Sequence, residues 1–182
     1  MQAEECITGR RSVRKYADRP VTDAVLREVV DLARFAPSWK NTQVVRYHLL
    51  RDPEKLAQVA EKGVSGFAFN AKTISRCKAL VLLTVQRGVS GYEPDGSFST
   101  AQQDRWEAFD AGAAAQTFCL AAHAKGLGSV ILGIFDEPAI RAIVPLPRSE
   151  RLAALIALGY PLEAPKAAPP RKEVDELLDL IG

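Results

Sequence analysis

Ala79 to Val85 is apolar at every position except Thr84. A strand with one wet face alternates apolar and polar side chains, so an unbroken run of this length reads as a strand buried on both faces. Burying it takes a core, and a chain of 182 residues, 47% of them hydrophobic, is long enough to build one within a single domain, 1–182. The neighbouring segments supply sheet and helix in irregular alternation. Thr22 is an N-cap with Asp23 beside it, and Val25, Leu26, Val29, Val30, Ala33 and Ala36 recur at helical spacing before Pro37 interrupts. This predicts an amphipathic helix ending near Phe35. Val44 to Leu50 is rich in β-branched and aromatic residues and reads as a strand, after which Asp52-Pro53 opens a helix over Pro53 to Lys62. Ser129 to Phe135 and Leu152 to Leu158 read as two more strands, with Asp136 capping a short helix that carries Pro138 in its first turn.

Three further segments are of a different kind. Arg105 to Lys125 reads as a long helix with a small-residue surface from Ala111 through Ala115, continued by Leu120, Ala121 and Ala124, and Gly126 suits the left-handed position after its last turn. Such a helix packs at close range, in a core or at an interface. Gln86 to Asp104 is about twenty residues heavy in glycine, serine and polar side chains, the length of a lid or binding loop. Tyr92 and Phe98 are isolated aromatics within it. After Tyr160, the prolines Pro161, Pro165, Pro169 and Pro170 rule out helix and central strand. An extended arm is expected, and at about 3.1 Å per residue the stretch from Pro161 to Lys172 covers roughly 35 Å. Val174, Leu177, Leu178 and Ile181 then recur at the spacing of a short amphipathic helix, which needs a surface to dock on, its own or a partner's.

Charge is concentrated in one place. Arg10, Arg11, Ser12, Val13, Arg14 and Lys15 bring four cations and a hydroxyl together in a chain whose net charge is only +2. Whether the segment is helical or extended, Arg10 and Arg14 share a face, and Ser12 joins them if it is extended. Guanidinium forks and a hydroxyl match the oxygens of a phosphate monoester, while the plainer alternative is a solvated basic patch. The overall charge is too mild for a nucleic-acid binder, so any anion held there is small. No apolar run approaches the roughly 20 residues that span a bilayer, and Met1 to Gly9 is acidic and polar where a signal peptide is apolar. A soluble, cytoplasmic protein with no membrane partner is expected. Cys6, Cys77 and Cys119 lack the spacing of disulfide frameworks or metal sites and are expected to be reduced, buried or idle. His48 and His123 sit in no metal-ligand pattern.

GRRSVRKY, FAPSWKNTQ, the pair Phe69-Asn70, GLGS at Gly126 to Ser129, and LGYPLEAPKAAPPRK occur in that order along almost the whole chain. Together they resemble the flavin-dependent nitroreductase family. The resemblance implies an α+β fold around a mostly antiparallel sheet, and a homodimer binding FMN at its subunit interface. The C-terminal arm and short helix, 160–182, would embrace the other subunit. It makes Arg10 and Ser12 look like ligands of the FMN phosphate, with Arg171 closing the site and Lys172 as its possible substitute. Arg14 looks like the cation beside the pyrimidine edge of the flavin, where reduction gathers negative charge across N1 and the C2 carbonyl. At an effective dielectric near 20, a unit charge pair 4 Å apart is worth about 4 kcal/mol, enough to shift a reduction potential. Arg11 belongs to the same motif but points the other way if the segment is extended, as a backbone contributor or surface residue.

Pro37, Ser38, Asn41 and Gln43 resemble the residues that meet FMN from the second subunit, the last three through hydroxyl and amide hydrogen bonds. Read without the family, they form an ordinary turn after a helix. Asn70 matches an asparagine near the pyrimidine ring or ribityl chain, and otherwise reads as a cap before a helix. Leu132 and Gly133 fall where relatives present backbone N–H groups near flavin N5, although a glycine inside a strand marks a bulge as readily as a close approach to a ligand. Many relatives continue the glutamine with Pro and Trp, whereas here Gln43 precedes Val44 and Val45, and a tryptophan appears earlier at Trp39. Trp39, Phe98 and Trp106 are either stacking partners for a flat substrate or core.

The implied activity passes electrons from NADH or NADPH through FMN to a nitroaromatic or quinone-like acceptor in two alternating half-reactions. No side chain is needed as a nucleophile. The alternatives are other flavin chemistry on the same fold, such as dehydrogenation, dehalogenation or flavin fragmentation, and a non-catalytic flavin or nucleotide carrier.

Overall fold

The computed structural model describes every residue except Met1 and Pro165. Pro165, one of the prolines of the expected arm, therefore lies outside the described residues. The apolar run forms β2 (Ala79–Gln86), which pairs with β1 (Val45–Leu50) on one side and β4 (Glu150–Gly159) on the other, with β3 (Gly128–Leu132) beyond β4. All three pairings are antiparallel, and among the described residues six α-helices accompany the sheet. This is the α+β arrangement expected.

β2 is buried because its alternate side chains enter two cores. Ala79, Val81, Leu83 and Val85 face a cluster built with α2 (Asp23–Ala33) and α5 (Arg105–Ala124). Leu80 and Leu82 face another, built with α3 (Pro53–Lys62), α4 (Ala68–Ile74) and α6 (Glu137–Ile143). The β2–β4 register slips between Leu83 and Thr84, which face Ala154 and Leu152 and leave Ala153 as an extra residue. That bulge reverses the side-chain alternation, so Leu152 joins the second core although Ala154, two residues on, belongs to the first.

Local chemistry sets the helix starts. Thr22 Oγ1 accepts the Val25 N–H, Asp52 accepts those of Glu54 and Lys55 ahead of Pro53, and Asp136 accepts that of Ala139. Gly126, after α5, has φ +76°.

Four expectations need correction. β3 stops at Leu132, short of Phe135, because the next positions of β4 are Ala154 and the bulged Ala153. α1 (Ala3–Gly9) and α4 were not foreseen. In place of an amphipathic helix at the C-terminus there is one 3₁₀ turn, Val174–Glu176, and Val174, Leu177, Leu178 and Ile181 are all exposed. A helix so short is not stable without a surface to bury its apolar face, and none of the described residues covers that face. Tyr92 and Phe98 are not isolated: their rings pack with centroids 4.9 Å apart across a β-bridge.

Candidate functional site

The cationic segment leaves α1 in extended conformation and is fixed to the sheet at both ends. Val13 N–H donates to the Ser129 carbonyl at 3.0 Å, making a parallel bridge between Ser12 and Ser129 at the outer edge of β3. Ala17 N–H donates to the Tyr160 carbonyl at 2.8 Å. Two glycines permit this approach. A Cβ at Gly128 would fall 2.7 Å from Val13, and one at Gly159 would fall 2.8 Å from the Tyr16 ring. The Tyr16 hydroxyl donates to the Val13 carbonyl at 2.6 Å, and burial raises its pKa far enough to keep it a donor.

A cleft of about 530 Å³ opens over this segment. Arg10, Arg11, Arg14 and Lys15 line it from one side, Lys166 and Arg171 from the C-terminal arm. Among the described residues Glu163 is the one acid lining it, and it pairs with Lys15 at 3.3 Å. Ser12 is exposed within the cleft; Lys172 is not among the lining residues. Arg11 is engaged locally, with Nη1 donating to the Thr8 and Arg10 carbonyls at 2.5 and 2.9 Å. Arg10 is less well matched: its Nε is buried with no acceptor among the described residues, as is that of Arg11. A buried donor left unpaired is costly, and an incoming anion relieves the cost. The local field is registered by His123, whose pKa is lowered by burial and then by Arg10 and Arg11.

Arg14 also lines a second cavity, of about 460 Å³, so the two spaces adjoin at its side chain. Phe67, Phe69, Asn70 and the stretch from Ile131 to Ile134 complete it. Asn70 is not a cap; it is the third residue of α4, buried, and its amide donates to the Ile134 carbonyl at 2.9 Å. Gly133 is neither inside a strand nor a bulge, since the ladder ends at Leu132, itself a core residue. A cationic end joined to a cavity walled by aromatic rings and an amide suits an elongated ligand with a phosphate at one end and a flat heterocycle at the other.

Pro37, Ser38 and Gln43 line a separate cavity of about 380 Å³, which shares no lining residue with the other two. Asn41, in the same loop, is not among its lining residues. Ser38 Oγ accepts the Gln43 N–H at 2.9 Å and closes the loop, in which Lys40, Asn41 and Gln43 adopt φ of 44°, 57° and 51°. Within one chain the expected ligands thus fall into two groups that do not meet.

A family model for the nitroreductase family matches residues 7–160. The chain belongs to the nitroreductase family. This nitroreductase-family chain is 30% identical over 186 residues to an NADH dehydrogenase of Thermus thermophilus, covering 90% of this chain and 88% of that one. Its structure is similar to a nitroreductase family protein of Streptococcus pneumoniae, with a TM-score of 0.85, 21% identity, and 99% and 100% of the two chains covered. It is also similar to a candidate nitroreductase of Desulfovibrio desulfuricans solved in complex with FMN, with a TM-score of 0.79, 26% identity, and 98% and 96% coverage.

Three buried acids of this nitroreductase-family chain were missed in the sequence. Asp110 accepts the Trp39 N–H, Glu107 pairs with Arg151 and accepts the Gly88 N–H, and Glu150 joins His48 to Thr84. Their partners lie tens of residues away, and no local pattern links them. Trp39 and Trp106 pack on one another at 4.5 Å, and the exposed Phe109 meets Trp106 edge-on at 5.4 Å.

Proposed function

We propose that this chain is an FMN-dependent oxidoreductase that takes electrons from NADH or NADPH and passes them to nitroaromatic or quinone-like acceptors. The reading rests on one observation above all: six cationic side chains around one cleft, with a buried Arg10 Nε that no described residue satisfies. A phosphate monoester carries about two negative charges and three acceptor oxygens, and on this reading it supplies the acceptor that donor lacks. Arg10, Ser12 and Arg171 hold the phosphate on this reading. Arg14, where the two cavities join, stands beside the pyrimidine edge, and Asn70, with the backbone at Leu132 and Gly133, borders the ring. Bound there, FMN supplies two-electron transfer between a nicotinamide donor and an acceptor that occupy the site in turn.

Two copies of the chain complete the site. Pro37, Ser38, Asn41 and Gln43 lie apart from the cationic cleft in one chain, so on this reading they reach the cofactor of a partner copy. The edge position of β1 and the exposed Val174, Leu177, Leu180 and Ile181 support a dimer, since apolar side chains gathered on an extended tail require cover.

The absorbance spectrum tests the reading. The purified protein is expected to be yellow or to become so with FMN, to bleach with NADH, and to recover its colour with a nitroaromatic. Steady-state double-reciprocal lines are expected to be parallel; converging lines count against alternation. A colourless chain that ignores FMN ends the proposal, and one that holds FMN without turnover is a carrier.

A further inference from the structure

Asp110 is 1% exposed on α5, and none of its hydrogen-bond or ion-pair partners among the described residues is a cation. A buried carboxyl group is expensive to keep, and a side chain retained in that setting is held by its geometry. Its two oxygens lie 3.0 and 3.1 Å from the Trp39 backbone nitrogen, which donates to both, and the Ser90 hydroxyl donates to Oδ2 at 2.7 Å. One partner starts the strained loop Trp39–Gln43, and the other belongs to the segment between β2 and α5. The same two segments meet again through the Lys40–Glu93 ion pair at 2.9 Å, and Trp39 packs on Trp106 in the first turn of α5.

Lys40, Asn41 and Gln43 all adopt left-handed backbone conformations, which non-glycine residues hold only where surrounding contacts over-determine them. Ser38 Oγ closes the loop from within. Asp110 is the anchor that ties it to the rigid body of the molecule, because α5 packs along the sheet through Ala111, Ala115 and Phe118. The ion pair is exposed on both sides and contributes little on its own.

We propose that Asp110 is a positioning residue, which fixes the Pro37–Gln43 loop in its cofactor-contacting shape and couples it to the 87–104 segment through Ser90. The inference rests on the flavin reading for the loop's role, whereas the anchoring stands without it.

The chain's two tryptophans, Trp39 and Trp106, pack against each other, so intrinsic fluorescence reports this junction directly. Four variants are compared with the wild type: Asp110→Ala, Asp110→Asn, Ser90→Ala and, as a control in the other core, Ile140→Ala. For each, the tryptophan emission of the apo protein, the melting temperature and the Kd for FMN are measured. Asp110→Ala is expected to shift emission to longer wavelength and to weaken FMN about tenfold, the worth of one buried hydrogen bond. Asp110→Asn retains a carbonyl oxygen for the Trp39 N–H and is expected to recover most of that loss. Ser90→Ala is expected to shift emission in the same direction with a loss of about threefold. Ile140→Ala is expected to lower the melting temperature while leaving emission and Kd unchanged.

Wild-type emission in both Asp110→Ala and Ser90→Ala overturns the proposal. So does a loss of FMN affinity that merely follows melting temperature, as the control would then show too. If Asp110→Ala does not fold, Ser90→Ala and Asp110→Asn carry the same decision. A wild-type protein that fails to bind FMN defeats the functional reading instead, and the emission shifts still decide the anchor.

Discussion

Val13 packs into the space that Gly128 leaves by having no side chain: a Cβ at 128 would lie 2.7 Å from it. The contact holds the cationic segment against β3. Gly128→Ala is therefore expected to destabilise the chain by about 1–3 kcal/mol through overpacking, and to weaken FMN binding by shifting Arg10 and Ser12. For stability, Gly133→Ala is the matched control, because nothing lies within 4 Å of a Cβ there. Urea midpoints of the two variants check the packing, and an FMN titration of Gly128→Ala checks the binding. Equal urea midpoints would refute the packing argument.

Reversing charge at Arg10 bears on the phosphate end. Arg10→Glu is expected to weaken FMN retention by two orders of magnitude or more, since it removes a charge-assisted bond of about 1.5–3 kcal/mol and adds repulsion. Arg14→Ala is expected to leave much of the affinity and to lower the two-electron potential by about 30 mV, the equivalent of about 1.4 kcal/mol. Equilibrium dialysis and a redox titration with reference dyes separate the two effects.

Glu107 is buried at 2% exposure and is met by Arg151, with Gly88 N–H on its other oxygen. Arg151→Ala strands that carboxylate and is expected to cost about 3 kcal/mol. The double variant Glu107→Gln/Arg151→Ala should be less unstable than Arg151→Ala alone. Thermal or urea denaturation decides it.

Glu150 sets an acid limit. Burial pushes its pKa up, but hydrogen bonds from Thr84 and His48 outweigh that, and the net displacement is below the ordinary value of 4.5. A carboxyl group with a depressed folded-state pKa contributes stability that is complete above its unfolded value and disappears as pH falls through the folded one. Wild-type stability should thus fall as pH drops below 4.5. Glu150→Gln should be less stable at neutral pH and show a flatter decline. Urea midpoints between about pH 3 and pH 6 measure the difference.

Removing residues 173–182 deletes no buried side chain from the chain itself. On the dimer reading, the truncated chain should keep its fold by circular dichroism and dissociate at concentrations where the full chain remains paired. Sedimentation velocity distinguishes this from a tail with no role in assembly.

Much of the fold is legible where a local signal and a burial pattern agree. Asp52 and Pro53 mark the start of α3, and Gly126 marks the end of α5, because caps act within one helical turn. α4 was missed because its seven residues carry an exposed Phe69 and too few turns for a period to show. The opposite failure occurred at Val174 to Ile181, where the helical spacing is present and the surface that would stabilise it is not. The cationic segment announced itself through charge. Its extended shape depends on Gly128 and Gly159, which approach it only after folding, and the links from Asp110 to Trp39 and from Glu150 to His48 span 71 and 102 residues. Such separations leave no imprint on neighbouring residues.

The cationic segment is mounted on β3 and the loop after Pro37 on α5, by separate attachments. In the proposed dimer, each pocket draws these two halves from different chains. Damage to Arg10 and damage to Ser38 would then be mutually forgiving: a mixed assembly carrying one lesion on each chain retains one pocket with both halves sound, and complementation between two inactive variants follows.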